Sequence, residues 1–489
     1  ADADAEVTVA AGQSQTVDAR LIMVQFSTQV TVTTANRREE LLLKTAEPTS
    51  VIDEAQIRDT SARSAKDLLI EQGGAGVQVQ PGGGQGHVSL NGIPNSGVLV
   101  LVDGRRYLGR DANGNFNLED LPVSGVERVE VVKGAGSALY GSDAMGGVIN
   151  FITRKSRNQG FTNSLNLSGG TYSDYRVDDS LAYRGANGGF GLSGGYRTYD
   201  GFDLDLKNPQ TIGQPESVWK TVSGNADYNV KSKVVVRLLA DYWNRDIDKY
   251  FFSGATQLAS TVYNSQRGLE RYAVTPEVDI LPTRSTTLNF SYNLGRYNRD
   301  ETQLYANRPS NPRVVVPRWA EKNDEFKGRL LKMWKFLDAD QPLQGGYEHR
   351  KEQLSRSSLA GCVTGQACNK ERDLNVFWVQ QEVNLTKDFK VSAGLRYDDS
   401  SDYGSQTSPK ATAVYSLPHN HRIRASYGKG FRAPYFGELY LTTFGFQGNP
   451  DLRPEKSETF PGGYAYAGSR GQGSADFCWA KVQDGITFF

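Results

Sequence analysis

The chain has 489 residues, 55 of them basic and 55 acidic, so its formal net charge is zero. This balance excludes a nucleic-acid footprint, which needs a basic surplus. The longest unbroken aliphatic run, Val98–Val102, is far shorter than the ~20 apolar residues of a membrane-spanning helix. A helical membrane protein is therefore excluded. A β-barrel is not, because a barrel strand is apolar on one face only.

Residues 41–155 predict a compact α/β unit. A first helix is expected after Asp53 and a second between Ser64 and Gly73, both with favourable capping residues. The stretch Gly136–Arg154, "GSALYGSDAMGGVINFITR", is rich in glycine but lacks the Lys-Ser or Lys-Thr of a phosphate loop. Because glycine lets backbones approach closely, we expect this stretch to pack in a confined space, with a hinge as the alternative. Strands are expected at residues 76–80, 87–92, 97–104 and 126–134.

From residue 156 to residue 489, apolar and polar residues alternate in long segments. In Lys390–Asp398, for example, apolar residues fall at every second position, and aromatic residues gather near strand ends. This layout is typical of a membrane-spanning antiparallel barrel with a polar lumen. We predict about fifteen strands, and because an odd number cannot close such a barrel, we expect the chain to be cut short. Long loops are expected at 200–216, 247–267, 301–320, 354–371 and 434–453.

Two sets of motifs resemble the TonB-dependent outer-membrane receptors. "LVLVDGRRY" and the later "LPVSGVERVEVVKGAGSALYGSDAMGGVINFITRK" are similar to the plug signature of that family. "ASYGKGFRAPYFGELY" and "GNPDLRPEKSETF" are similar to its barrel signature, and most similar to the cobalamin and catecholate-siderophore branch. The resemblance implies a barrel of about 22 strands with an N-terminal α/β plug domain inside the lumen, so about seven strands would follow residue 489. Residues 1–26 resemble the end of a carboxypeptidase-regulatory-type β domain.

The resemblance also implies an energy-coupling segment, the TonB box, ahead of the plug. It matches "STQVTVTTANR" within residues 27–40, which we read as TonB box and linker. This β-prone segment is expected to add as a strand to the sheet edge of the periplasmic domain of TonB, which an inner-membrane motor drives. An ordinary linker strand is the alternative. The predicted TonB-box residues are Gln29, Val30, Thr31, Val32, Thr33 and Thr34.

Charged residues in one plug strand predict an ion-pair lock between plug and barrel. Glu127, Arg128 and Glu130 interrupt an otherwise apolar strand, and Glu438 and Glu455 in the barrel are candidate partners. Charges inside a narrow lumen are only partly hydrated, so their pairing should matter more than at an open surface. A solvated sheet edge is the alternative.

Ligand contacts are expected at the plug apex, residues 107–117, and in the long outer loops. The apex stretch is polar and glycine-rich, and an ordinary surface loop without ligand contacts is the alternative. The aromatic residues in the outer loops are chosen as candidates by their position alone. "YFGELYLTTFGFQG", between the "FRAP" and "NPDL" motifs, contains no histidine, which disfavours haem. The candidate ligand residues are Arg106, Tyr107, Arg110, Asn113, Asn115, Tyr250, Phe251, Phe252 and Tyr305.

Two further sites are predicted in loops. A calcium site is predicted at Asp200, Asp203 and Asp205, because carboxylates supply the hard oxygen ligands that calcium prefers. A solvated acidic loop is the alternative. No other cofactor is expected. Cys362 and Cys368 are spaced for a short disulfide in an oxidising compartment, with two free thiols as the alternative.

These features predict a receptor in the bacterial outer membrane, surrounded by lipid, that takes up a scarce bulky ligand such as a ferric siderophore or cobalamin when TonB strains the plug. "GLSGG" at Gly191–Gly195 matches GxSxG only formally, because it lies in an alternating strand, so no enzyme is expected. A passive porin-like channel, a saccharide-uptake receptor and a non-functional fragment remain alternatives. Pro461 departs from the family pattern, because it lies where a central strand should donate hydrogen bonds.

Overall fold

The structure is a computed structural model. It describes residues 31–38, 40–42, 45–60, 62–74, 76–80, 86–111, 113–134, 136–155, 159–202, 215–231, 233–253, 261–305, 313–337, 339–356, 359, 368–443, 446–468 and 471–486. The predicted β-domain remnant and the TonB-box residues Gln29 and Val30 lie outside these ranges. No helix within them is long and apolar enough to cross a membrane.

The N-terminal part consists of an arm, residues 31–47, and a plug, residues 48–155. The arm contains a two-stranded hairpin, and the plug has one principal sheet with short helices beside it. Their elements are β1 (Thr31–Val32), β2 (Glu40–Leu41), β3 (Thr49–Ile52), α1 (Glu54–Asp59), α2 (Ala65–Gln72), β4 (Val77–Gln80), β5 (His87–Leu90), β6 (Val98–Val102), β7 (Arg105–Arg106), β8 (Val126–Lys133), α3 (Ser137–Tyr140) and β9 (Gly147–Thr153).

Local sequence signals explain where the plug helices begin. Asp53 caps α1 and forms a capping box with Gln56, which satisfies backbone groups at the helix start. The Ser64 side chain accepts a hydrogen bond from the first turn of α2, and Gly73 follows its last residue. Both predicted helices are therefore confirmed.

The plug sheet has the strand order β3, β8, β9, β6 and β7, with β6 and β9 parallel. Strand β6 is buried along its whole length, which explains the unbroken aliphatic run Val98–Val102. The same hydrophobic core continues into the wall through Trp243, Leu269 and Tyr297. The plug therefore packs against the inner face of the wall.

The wall is one antiparallel sheet of 15 strands, each paired with the next in chain order, and it confirms the predicted fold class. A helix and a small hairpin interrupt the last long connection. The elements are β10 (Gly160–Gly170), β11 (Asp174–Arg184), β12 (Gly188–Tyr199), β13 (Glu216–Val230), β14 (Val234–Ser253), β15 (Thr261–Thr283), β16 (Thr286–Tyr305), β17 (Arg313–Phe336), β18 (Ala339–Arg356), β19 (Cys368–Asn384), β20 (Phe389–Ser400), β21 (Gly404–Leu417), β22 (His421–Arg432), α4 (Phe436–Tyr440), β23 (Thr442–Thr443), β24 (Phe446–Gln447), β25 (Glu455–Gly468) and β26 (Gly471–Gln483).

Alternation along each strand gives the wall two different faces. In β19 and β20, Phe377 and Leu395 are 58% and 47% exposed on the outer face. Arg396 and Asp398 in β20 are fully buried on the inner face, against the plug. An apolar outer face and a polar inner face are what a barrel in lipid requires.

Two of the predicted long loops are shorter than expected. Strand β14 continues to Ser253 and β15 begins at Thr261, while β16 continues to Tyr305 and β17 begins at Arg313. Strand β17 alone has 24 residues, against about 9–11 needed to cross the hydrocarbon core. The polar ends of these strands, read from sequence as loops, extend the sheet beyond the membrane.

The glycine-rich stretch that begins at Gly136 is confirmed as a site of close packing. Gly141 has a φ of 77°, and a Cβ there would lie 2.7 Å from an Arg396 guanidinium nitrogen. A Cβ on Gly147 would lie 2.2 Å from the Val132 carbonyl oxygen. Any side chain at these positions would separate α3 from the wall or β9 from β8.

Pro461 lies inside β25, a strand paired on both sides. Its ladder with β26 continues through Pro461, opposite Cys478. The ladder with β22 has no partners between the pairs Ala425–Gly462 and Gly428–Thr459. The proline therefore falls at an interruption of the ladder, where its missing N–H costs no hydrogen bond.

Candidate functional site

The predicted TonB box is seated on the plug through one buried carboxylate. The backbone N–H groups of Thr33 and Thr34 donate to Glu130 Oε2 at 2.9 and 2.8 Å, and the Thr34 hydroxyl donates to the same atom at 2.6 Å. The Tyr140 hydroxyl donates to the Thr34 carbonyl at 2.9 Å, and the Asn150 amide donates to the Thr34 hydroxyl at 3.0 Å. The end of the box is thus held by at least five hydrogen bonds, several of them charge-assisted.

A second contact ties the arm to the wall just after the box. Arg37 forms a 2.6 Å ion pair with Glu348 of β18. Its guanidinium also lies 4.7 Å from the ring centre of Tyr140 in the plug and 5.0 Å from that of Trp378 in β19. Arg37 is therefore the residue at which arm, plug and wall meet.

Arg37 begins a series of ion pairs that we call the ion-pair row. Its four arm residues, taken in chain order, pair with four successive wall strands, β18 to β21. The charge on the arm changes from positive to negative along the row, and the wall charges change in the opposite sense. The four pairs are Arg37–Glu348, Arg38–Glu382, Glu40–Lys390 and Glu47–Lys410.

The predicted lock between plug and barrel is wrong in its partners. Arg128 pairs within the plug, with Glu127 at 3.1 Å and Glu130 at 2.8 Å. Glu438 and Glu455 both pair with Arg432 at the end of β22. The physical reason is that Arg128 is already neutralised by Glu127 and Glu130 of its own strand, while Arg432 neutralises both Glu438 and Glu455. Ion pairs between plug and wall are instead formed by Arg105 with Asp241 and by Asp120 with Arg245, while the ion-pair row joins the arm to the wall.

Tyr107, predicted to contact ligand, takes part in the packing between plug and wall. Its side chain is 2% exposed, its ring lies 6.4 Å from that of Trp243, and the Arg271 guanidinium lies 4.9 Å from its centre. The hydroxyl donates to the Asp120 carbonyl at 3.2 Å. Tyr107 also borders the cavity that Arg106 and Arg110 line, and its ligand role stays a prediction.

Arg106 and Arg110 meet at Asp143, which the sequence did not single out. Arg106 pairs with Asp143 at 3.0 Å and Arg110 pairs with it at 2.6 Å. Burial would raise the pKa of Asp143, but Arg110 and Arg106 outweigh it and hold the pKa below its usual range. Burial and the nearby Arg350 lower the pKa of Arg106 to about 10. Both arginine side chains are largely buried, and both border the same cavity, so their ligand role stays a prediction.

The other apex residues form a loop folded onto itself. The N–H groups of Asn113 and Asn115 both donate to Asp111 Oδ1 at 2.9 Å. Both asparagines are half-buried, which leaves part of each amide accessible. Their ligand role stays a prediction.

Below this loop lies a recess with about 620 Å³ of solvent-connected space, the outer cavity, which Arg106, Arg110 and Asp143 line from the plug side. The Asn323 amide and the Tyr403 hydroxyl on its wall have no hydrogen-bond partner among the described residues. Unpartnered buried polar groups of this kind call for water or a ligand group. Its charged wall residues are Glu321, Lys322, Arg350, Glu352 and Arg372.

Glu321 fastens the apex loop to the wall without an ion pair. Its carboxylate accepts hydrogen bonds from the Gly109 and Arg110 backbone N–H groups, both at 3.2 Å. Trp319 Nε1 and the Tyr435 hydroxyl also donate to it, each at 2.8 Å. Sequence reasoning missed this residue, although the polar side chains at every second position of β17 were a usable signal.

The predicted loop aromatics lie at the outer ends of strands. Tyr250, Phe251 and Phe252 belong to β14, and Tyr305 ends β16. Tyr263 of β15 is opposite both Phe251 and Tyr305 in the sheet register. These residues are therefore neighbours along one part of the rim, and their ligand role stays a prediction.

The two predicted loop sites are only partly within the described residues. Asp203 and Asp205 lie outside them, and among the described side chains no three metal-binding groups come together. Calcium binding thus stays a prediction. Cys368 is disulfide-bonded, its predicted partner Cys362 lies outside the described ranges, and Cys478 is a free thiol.

Comparison with known proteins agrees with this architecture. The family described as "TonB dependent receptor-like, beta-barrel" matches residues 104–489, and "TonB-dependent Receptor Plug Domain" matches residues 42–148. The chain is 28% identical to the vitamin B12 transporter BtuB of Vibrio vulnificus, over 88% of this chain and 67% of the transporter. It is 26% identical to BtuB of Photobacterium profundum, over 89% of this chain and 67% of that protein.

Solved structures share the fold at lower identity. The ferric enterobactin receptor PfeA of Pseudomonas aeruginosa superposes with a TM-score of 0.73 at 17% identity, covering 89% of this chain and 71% of the receptor. The siderophore receptor PirA of Acinetobacter baumannii gives a TM-score of 0.73 at 20% identity, covering 91% and 72%. The chain thus spans about two thirds of the length of its relatives. With a plug packed against a polar inner wall and both family regions matched, the chain belongs to the TonB-dependent receptors of the outer membrane.

Proposed function

We propose that this chain belongs to a receptor that takes up a bulky ligand across the outer membrane when TonB pulls on the arm. The observation that carries the proposal is the double attachment of the arm, to the plug through Glu130 and to the wall through Glu348. A pull on Thr31–Thr34 therefore loads the junction between plug and wall before any other part of the molecule. The chain performs no covalent chemistry in this scheme.

The ligand class that we propose is a metal chelate of the siderophore type, or cobalamin. Relatives named as vitamin B12 transporters and as a ferric enterobactin receptor support this choice. The outer cavity supports it too, because Arg110 and the apex loop border a space with unpartnered polar groups. First capture is proposed at Asn113 and Asn115 and at the rim formed by the ends of β14 and β16, with calcium at Asp200 as an accessory.

The test is uptake by cells that express the complete coding region, with and without TonB. Labelled cobalamin and labelled ferric chelates are expected to bind at the surface in both strains, and to enter only where TonB is present. Equal entry without TonB would replace the proposal with a passive channel. Failure of every chelate and of cobalamin, together with capture of an oligosaccharide, would replace it with saccharide uptake.

A further inference from the structure

A second cavity, the inner chamber, lies between the plug and the wall on the side of the arm. It has about 2090 Å³ of solvent-connected space, and Thr33, Arg37 and Tyr140 line it. Its lining contains eight arginine or lysine side chains but four aspartate or glutamate side chains. The whole chain is neutral, so this cationic excess is local. A cleft lined by one sign of charge concentrates ligands of the opposite sign.

Arg329 of β17 is the unusual member of this lining. Its Nη1 donates to the Arg37 carbonyl oxygen at 2.5 Å. Six of the eight cations have a carboxylate oxygen within 4 Å, whereas no such pair joins Arg329 or Lys155 to a described residue. Arg329 is half-buried, and its observed hydrogen bond is to the arm and not to the wall.

The nearby wall carboxylates are already engaged. Glu277 and Asp279 share Arg237 at 2.8 and 2.6 Å. Glu348 binds Arg37 and also Arg396, at 3.0 Å. When the arm withdraws, both the carbonyl and the guanidinium of Arg37 leave with it, so Glu348 keeps Arg396 as its partner while Arg329 loses its acceptor. Arg329 is then left facing the chamber as a partly desolvated cation, a state that an anionic group would relieve.

We propose that Arg329 is the centre of an anion-binding site inside the lumen, which becomes available when the arm leaves and which receives the negatively charged groups of the cargo on their way past the plug. The inference rests on the proposed uptake function and specifies its substrate class: an anionic metal chelate. The site is separate from the apex loop and the outer cavity, where the ligand is first captured.

The test compares two ferric chelates of similar size, a trianionic tris-catecholate and an uncharged tris-hydroxamate. Cells with TonB express the complete receptor as wild type, Arg329→Gln, Arg329→Lys or Lys332→Gln. Lys332 is the matched control, because it lies in the same strand, is not part of the chamber lining and donates to the Ser285 and Thr286 hydroxyls at 2.9 and 3.0 Å. Surface binding is measured without energy, and uptake is measured with energy.

Arg329→Gln is expected to lower energised uptake of the tris-catecholate about tenfold, since a charge-assisted hydrogen bond is lost, while surface binding stays within about twofold. Uptake of the tris-hydroxamate should not change, Arg329→Lys should restore much of the loss, and Lys332→Gln should behave as wild type. If Arg329→Gln lowers the uptake of both chelates equally, Arg329 has a structural role and the inference is overturned. Unchanged uptake of the tris-catecholate would overturn it too.

Uptake of the three ligands by cells with the wild-type receptor distinguishes a failure of this inference from a failure of the proposed function. TonB-dependent uptake of cobalamin or of the uncharged chelate alone, with none of the anionic chelate, would overturn the anion site and leave uptake intact. Absence of TonB-dependent uptake for all three ligands would overturn both.

Discussion

Arg37 of the arm and Glu348 of the wall form a 2.6 Å ion pair, and the same guanidinium lies between the rings of Tyr140 and Trp378. A cation over an aromatic face gains about 0.5–2 kcal/mol, depending on how dry the site is. Because Tyr140 belongs to the plug and Trp378 to the wall, one side chain binds three parts of the molecule together. Its removal should therefore loosen the arm more than a surface ion pair would.

Arg37→Gln is expected to free the arm without unfolding the plug. The lost interactions amount to about 1.5–3 kcal/mol, so the undocked fraction should rise about tenfold or more. Hydrogen exchange measures this directly, because the Thr33 and Thr34 amides are protected by Glu130 only while the arm is docked. Lys332→Gln is the control, and unchanged exchange of residues 31–38 in Arg37→Gln would contradict the prediction.

Glu130→Gln should weaken the attachment of the predicted TonB box to the plug while keeping the local geometry. The amide oxygen can still accept from Thr33 and Thr34, but the charge that strengthens those bonds and pairs with Arg128 is gone. Arm exchange should speed up about tenfold, in line with ~1.5 kcal/mol. Thr34→Val, which deletes the hydroxyl between Glu130 and Asn150, should give a similar change. Protection equal to wild type in both variants would show that the carboxylate does not hold the arm.

Tyr107→Ala is expected to lower the free energy of unfolding and to leave ligand affinity unchanged. Deleting a large buried aromatic side chain costs about 3–5 kcal/mol, here from the contact with Trp243 and Arg271. Tyr107→Phe should lose only the hydrogen bond to Asp120, about 0.5–1.5 kcal/mol. Urea unfolding followed by tryptophan fluorescence measures both. A loss of ligand binding in Tyr107→Phe with unchanged stability would restore Tyr107 as a contact residue.

Asp143 should make plug stability depend on pH at the acid end. Its pKa is lower in the folded plug than in the unfolded chain, because of Arg110 and Arg106. The stabilisation is therefore complete above the unfolded pKa of about 3.9 and declines as the pH falls through the folded value. Asp143→Asn should be less stable by about 3–5 kcal/mol at pH 7, since two buried arginines lose their partner.

The difference between wild type and Asp143→Asn should narrow as the pH falls below about 4. Urea midpoints measured from pH 7 to pH 3 check this. A difference that stays constant over that range would show that the carboxyl group does not carry the effect.

Features that depend on nearby residues could be predicted from the sequence. The helix starts at Asp53 and Ser64 follow from capping chemistry, and the two faces of the wall follow from alternation of period two. The close packing of Gly141 and Gly147 follows from glycine enrichment, although their partners do not.

Partnerships across the fold could not be predicted. Arg37 and Glu348 are 311 positions apart, and their contact depends on the register of nine successive wall strands, β10 to β18. The sequence shows Glu130 as an unusual charge in an apolar strand. Its contacts with Thr33 and Thr34 could not be predicted, because no local signal shows that the arm folds back over β8.

The order of contacts in the ion-pair row has a mechanical consequence. A pull applied at Thr31, as proposed for TonB, would reach Arg37 first, then the cluster in which Arg38 and Glu40 pair with Glu382 and Lys390, and then Glu47. These contacts would open in sequence, whereas a thermal excursion that lifts the whole segment must break all of them together. The resistance of the arm is therefore expected to depend on the direction of the applied force.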